Sequence, residues 1–177
     1  MKVFIAILFF VFFLGTGDVF PTSGTIANRA GGTDNWTNPT NITADDGSVA
    51  SLNTNPQSHY LIASSFGFSI PSGATINSVT VKVEASLTNV VNKDLNAQLQ
   101  DNGGSLTGSS KVVTLGASTG LTVYTYTIDN WGATLTPAIV NDPDFGVRFW
   151  FTVQAISTVD YVTISVQYSN RRAVVIN

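Results

Sequence analysis

The sequence predicts an all-β fold, an antiparallel β-sandwich of jelly-roll type, and three observations predict it. Apolar residues alternate with Thr, Ser, Asn and Gln in several runs, the period of a strand with one buried and one wet face. Gly, Pro, Asn and Asp cluster between these runs at the spacing of short strands joined by turns. One segment alone, WGATLTPAIVNDPDFGV, breaks the pattern with a single short helical turn, expected near residues 137–142.

The elements follow in chain order. Lys2 precedes an uninterrupted apolar run, Val3 to Leu14, with small residues at Gly15 and Gly17. This three-part pattern predicts a signal peptide over residues 1–17, cut before Asp18, and hence a secreted or extracellular protein. The run is shorter than the ~20 residues of a membrane-spanning helix, so no stable membrane span is expected. The alternative is a hydrophobic strand or core helix of the mature domain. Residues 18–34 read as an extended N-terminal extension, and residues 35–58 as turns, with Asn38-Pro39, Asp46-Gly47 and Asn55-Pro56 as signals. Tyr60 to Ile70 reads as a strand closed by Pro71-Ser72-Gly73. The clearest strand is Ser78 to Thr88, with Val79, Val81, Val83, Ala85 and Leu87 on one face. Lys82 and Glu84 share its other face and are placed to pair. Leu95, Ala97 and Leu99 point inward in the next strand, which Asp101-Asn102-Gly103-Gly104 ends. Shorter strands are expected over Lys111 to Leu115 and Thr122 to Asp129, the latter with Tyr124, Tyr126 and Ile128 on one face. Thr136 is a candidate N-cap, Pro137 suits the first helical position, and Pro143 stops the turn. Val147, Phe149, Phe151 and Val153 then face one way, and Val162, Ile164, Val166 and Tyr168 close the last strand. The sandwich domain is thus assigned to residues 35–169, with residues 170–177 as a C-terminal tail.

Four segments carry a resemblance: DNWTNPTNITADDGSVA, FGFSIPSGATINSVTVKVEAS, WGATLTPAIVNDPDFGVRF and VDYVTISVQY. Together they resemble a β-sandwich module of uncharacterised phage structural proteins and of secreted or surface proteins of microbes. The resemblance implies a structural or binding role without catalysis. The signal-like N-terminus departs from the phage version, and SNRRAVVIN extends past the usual end of the module.

Composition narrows the chemistry. Charged residues make up 11% of the chain, with a net charge of −3. No basic stripe exists, so a nucleic-acid partner is not expected. One histidine and no cysteine cannot fill a zinc site. His59 stands at a loop-to-strand junction without the strained turn of a serine hydrolase, and reads as an exposed or hydrogen-bonded loop residue. Asp142 and Asp144 flank a proline, while Asp45 and Asp46 precede a glycine; both pairs read as turn chemistry. On these grounds the sequence predicts that the chain is not an enzyme. The one cofactor it suggests is structural calcium on loop residues Asp34, Asp45 and Asp46, because hard cations take carboxylate oxygens. Two glycosylation sequons, Asn35-Trp36-Thr37 and Asn41-Ile42-Thr43, complete the modification signals.

Aromatic residues offer the binding lead. Trp150 alternates with Phe149 and Phe151 and so falls on the outer face beside Arg148, where an indole could stack on a glycan or anchor a partner. Trp36 and Trp131 sit beside turns and are expected to cap the ends of the core. The function expected is that of a structural β-sandwich of an extracellular surface, filament or particle that self-associates. A carbohydrate-binding or adhesion module and a phage virion protein are the alternatives. The two chain ends, with β-prone AVVIN at one and Val19-Phe20 and Ile26-Ala27 at the other, are placed to add a strand to a neighbour's sheet.

Overall fold

The computed structural model describes residues 6–54, 56–126 and 129–176. Ten strands follow one another: β1 (Ala6–Gly15), β2 (Ser23–Ala27), β3 (Ala50–Thr54), β4 (Tyr60–Ser64), β5 (Thr75–Leu87), β6 (Lys93–Gln100), β7 (Leu106–Leu115), β8 (Thr119–Thr125), β9 (Gly146–Trp150) and β10 (Ala155–Ile176). They form two antiparallel five-stranded sheets. The first runs β1-β10-β5-β8, with β3 also on β10, and the second β2-β4-β9-β6-β7.

With β1 and β2 set aside, the remaining order is 3-10-5-8 in one sheet and 4-9-6-7 in the other. The first of these eight strands pairs with the last, the second with the seventh, the third with the sixth and the fourth with the fifth. That nesting is the jelly roll, and the all-β sandwich expected from the sequence is the fold found.

The alternating pattern explains the layers. Val79, Val81, Val83, Ala85 and Leu87 of β5 are fully buried, as are Val159, Val162, Ile164 and Val166 of β10. The second sheet answers with Leu95, Ala97, Leu99, Val147 and Phe149. Tyr126 joins the layers, its ring 5.9 Å from Phe149 and 5.8 Å from Trp131. Its hydroxyl donates to Leu95 O at 3.0 Å. Removing it by Tyr126→Phe leaves that carbonyl without its donor and is expected to cost about 0.5–1.5 kcal/mol in a urea titration. Burial holds the Tyr126 hydroxyl well above its ordinary value of 10.0. The folded state therefore favours the neutral phenol. Its contribution is intact below that ordinary value and is lost as pH rises above it.

The turns behave as their residues dictate. Thr136 Oγ1 accepts from Ile139 N at 3.3 Å and caps α1 (Pro137–Val140), so the helical turn lies inside the expected window. Asp142 Oδ1 accepts from Asp144 N, and Asp101 Oδ1 from Gly103 N and Ser105 N, which is turn chemistry. Trp36 and Trp131 are buried in the core cluster, and their indoles donate to His59 O and Val79 O.

Several elements differ from expectation. The extension over residues 18–34 is built into the fold: Val19 bridges Ile164 in the first sheet, and β2 pairs with β4 as an edge of the second. The turn-rich stretch contains β3 and a 3-10 turn, Pro39–Ile42. The strand expected over 60–70 ends at Ser64, because Ser65 and Gly67 take left-handed backbone at φ 60° and 69°. Residues 6–15 of the segment read as a signal peptide form β1, and residues 170–176 of the tail continue β10. Ile128 lies outside the described residues.

Candidate functional site

The register of β10 creates the site. Val159 opposes Ala85 on β5, and the next pair is Val162 with Val83. Two residues, Asp160 and Tyr161, therefore stand against the single Glu84. This is a β-bulge, which re-aims side chains out of the ladder. The loop carrying Asp45, Asp46 and Gly47 lies over it: Thr43 bridges Tyr161, and Gly47 N donates to Asp160 Oδ2 at 3.2 Å. Gly47 takes φ 79°, which lets the backbone turn its amide toward the carboxylate.

Three carboxylates converge as a result. One oxygen each from Asp45, Glu84 and Asp160 lie within 4.8 Å of one another. Asp160 is 2% exposed and its Oδ1 has no hydrogen-bond partner. Asp45 is exposed and Glu84 half-buried, so the cluster opens to solvent on one side. Loss of solvent raises the Glu84 carboxyl above its ordinary 4.5, and the negative charges of Asp45 and Asp160 beside it raise it further. Tyr161, beside them, is raised by burial and then by Glu84 and Asp45. The charged neighbour Lys82 is engaged elsewhere, on Asp18 at 2.6 Å rather than on Glu84 as the sequence suggested. A raised carboxyl disfavours the folded state once ionised. The Glu84 penalty is absent at acid pH and appears as pH climbs through the range above 4.5.

Of the three aspartates expected to hold calcium, the structure brings Asp45 into this cluster and leaves Asp34 and Asp46 outside it. Asp46 Oδ1 instead accepts from Ser48 N at 2.8 Å, and the backbone of Asp34 bridges Ser58. Glu84 was missed because it looks like an ordinary outward-facing strand residue, and Asp160 because it falls just before the alternation that marks the last strand. Two signals were available: Glu84 is the chain's single glutamate, and Asp160 interrupts an apolar alternation between Val159 and Val162.

The second expected site is closed. Trp150 lies on the outer face of β9, as its alternation requires, but is only 9% exposed. Tyr60 from β4 meets its ring edge-on, at 5.4 Å and 90°. Arg148 is placed 5.3 Å from the Tyr60 ring, donates to Gln100 Oε1 at 2.7 Å and to Gly104 O, and ties β9 to the turn after β6. The open stacking platform expected at Trp150 is thus corrected to a packed aromatic and guanidinium cluster. His59 is held by backbone, its Nδ1 accepting from Arg29 N at 3.1 Å, and is the hydrogen-bonded loop residue expected. Asn41 of the second sequon spends its amide on Val49 O at 3.1 Å.

No family model matches the chain, and no curated protein matches it. Among solved structures it is similar to the enzymatically active domain of tailspike protein 4 of bacteriophage CBA120, at 13% identity and a TM-score of 0.44. The match covers 80% of this chain and 19% of that one. The resemblance to phage proteins therefore stands as a distant one. That structure is described as an enzymatically active domain, which is said of that protein, and the expectation that this chain is not an enzyme is withdrawn. The inference from composition was also too strong on physical grounds. It counted titratable groups along the chain, and the fold gathers three of them at one point. Among the described residues, no helix is long and apolar enough to cross a membrane.

Proposed function

We propose that this chain is a jelly-roll building block of an extracellular or virion-associated assembly, and that copies join at the free end of β10. One observation carries this reading. The pairing of β10 with β5 ends at Ser169, whereas its pairing with β1 continues to Ile176. A two-stranded ribbon thus projects past the sheet. Such a ribbon is marginal by itself in water. Apolar surface runs onto it from the sheet: Leu14 and Phe13, where it leaves the sheet, are 44% and 79% exposed, and Phe12 and Val11, just beyond, are 50% and 48% exposed. Contiguous apolar surface on a sheet edge favours strand addition by a neighbour, in which backbone hydrogen bonds supply affinity.

Cleavage before Asp18, as the signal pattern suggests, would remove β1 and leave the same stretch of β10 open to a strand from another chain. Either way the contact falls on one edge. The test is sedimentation of the full chain against a variant lacking residues 1–15 and against Phe13→Asp. The full chain is expected to associate, Phe13→Asp to weaken association at least tenfold, and the truncation to change its stoichiometry. A full chain that stays monomeric at its solubility limit defeats the proposal. N-terminal sequencing of the native protein decides which strand fills the edge.

A further inference from the structure

We propose that Asp45, Glu84 and Asp160 bind one calcium ion between the β10 bulge and the loop that covers it. The proposal is independent of the assembly reading. The ligands come from three separate elements: a loop, strand β5 and the bulge of β10. Their oxygens lie within 4.8 Å of one another, close enough to share an ion at calcium's ~2.3–2.6 Å bond length.

A second observation points to a ligand. Asp160 is 2% exposed, and its Oδ1 is buried without a donor. Its other oxygen already accepts from Gly47 N. A buried carboxylate oxygen left without a partner is expensive, and a cation in the cluster would satisfy it and offset the mutual repulsion of the three charges. Among the described residues, no ion pair brings a cation to the cluster. Lys82 is turned to Asp18, and the other groups close enough to influence Glu84 or Tyr161 are Asp45, Asp160 and Asp18.

The donor set selects the ion. All three ligands are carboxylates, without His or Cys, so a hard cation fits and zinc does not. The set draws on a loop as well as two strands, which suits calcium's flexible coordination better than the near-ideal octahedron of magnesium. Exposed Asp45 leaves room on the solvent side for water to complete the shell. The Gly47 amide holds the loop to Asp160, so the site is assembled by the fold.

The test is thermal unfolding and titration calorimetry of the full chain with calcium chloride, magnesium chloride or EGTA. At a calcium concentration 100-fold above Kd, Tm is expected to rise by roughly 5–10 °C for a domain of this size. Asp45→Asn, Glu84→Gln and Asp160→Asn should each weaken binding at least tenfold, while Asp34→Asn and Asp46→Asn should leave it unchanged. Asp45 is exposed, so its variant tests the site without risk to the core. In EGTA, Glu84→Gln should melt no lower than the parent, because it removes one of three repelling charges. No heat and no Tm shift at millimolar calcium overturns the proposal. So does a shift that survives in Asp45→Asn and Glu84→Gln, or an equal affinity for magnesium.

Discussion

Phe149→Ala will destabilise the protein by about 3–5 kcal/mol, the cost of deleting a large buried aromatic ring and leaving a cavity. Phe149 is fully buried in β9, opposite Leu61 on one side and Ala97 on the other. Its ring lies 5.9 Å from Tyr126, a contact that spans the two sheets. The surrounding strands are hydrogen-bonded on both sides, so the site cannot collapse to fill the space. A domain of ordinary stability holds only about 5–15 kcal/mol, so this loss is a large share of the whole. Urea titration should show a lower midpoint at unchanged slope. Val153→Ala is the matched control: Val153 is 45% exposed, and its truncation should stay within about 0.5 kcal/mol. A cost below ~1 kcal/mol for Phe149→Ala would mean that the inward face of β9 has been misassigned.

The same alternation that buries Phe149 made most of the fold legible. A strand with one wet face writes its orientation into every second residue, and β5, β6 and β9 did so; β9 stops at Trp150, however, and Val153, expected to face inward with Phe149, lies beyond it and is 45% exposed. Where geometry departs from a regular strand, the pattern failed. The first part of β10 was invisible because the bulge at Asp160 and Tyr161 shifts the alternation by one residue. β2 was hidden because SGTIA is short and contains a glycine. That glycine is required: a Cβ on Gly24 would run into the carbonyl oxygen of Pro39. β3 lay among turn residues and gave no period of its own.

The acidic cluster was half legible, and for a related reason. Asp45 announces itself as a loop carboxylate, so it entered the calcium expectation. Glu84 and Asp160 are far apart in sequence and meet only because β5 and β10 pair with a bulge at that point. No spacing rule encodes such a meeting. Trp150 shows the opposite failure. Its outward direction was read correctly, but direction does not give exposure, and Tyr60 on the neighbouring strand covers it. The projecting ribbon depends on both chain ends at once, and each end alone suggested only a strand-prone segment.

Gly146→Ala should be among the most damaging single-methyl changes in the protein. Gly146 begins β9, paired with Ser64 on β4 and Gln100 on β6. A Cβ there would strike the carbonyl oxygen of Ala63 and come within 3.0 Å of the Ser64 Cα. Both obstacles are backbone of a paired strand, so no rotamer change relieves them; β4 must move or the register must loosen. Overpacking of this kind costs about 1–3 kcal/mol, and a rigid backbone neighbour places the expected value at the upper end. The neighbouring peptide groups also hold the start of the strand that carries Arg148 and Phe149, so hydrogen exchange should rise first across β4 and β9. Gly73→Ala supplies the comparison. Gly73 lies in the Pro71-Ser72-Gly73 turn, its φ is not left-handed, and a Cβ there would meet nothing within 4 Å. Adding the methyl restricts the unfolded chain and should stabilise by about 0.4–1 kcal/mol. Opposite signs for the same chemical change would locate the close approach of β4 and β9. Equal effects at the two positions would mean that the strands do not meet at Gly146 as the register requires.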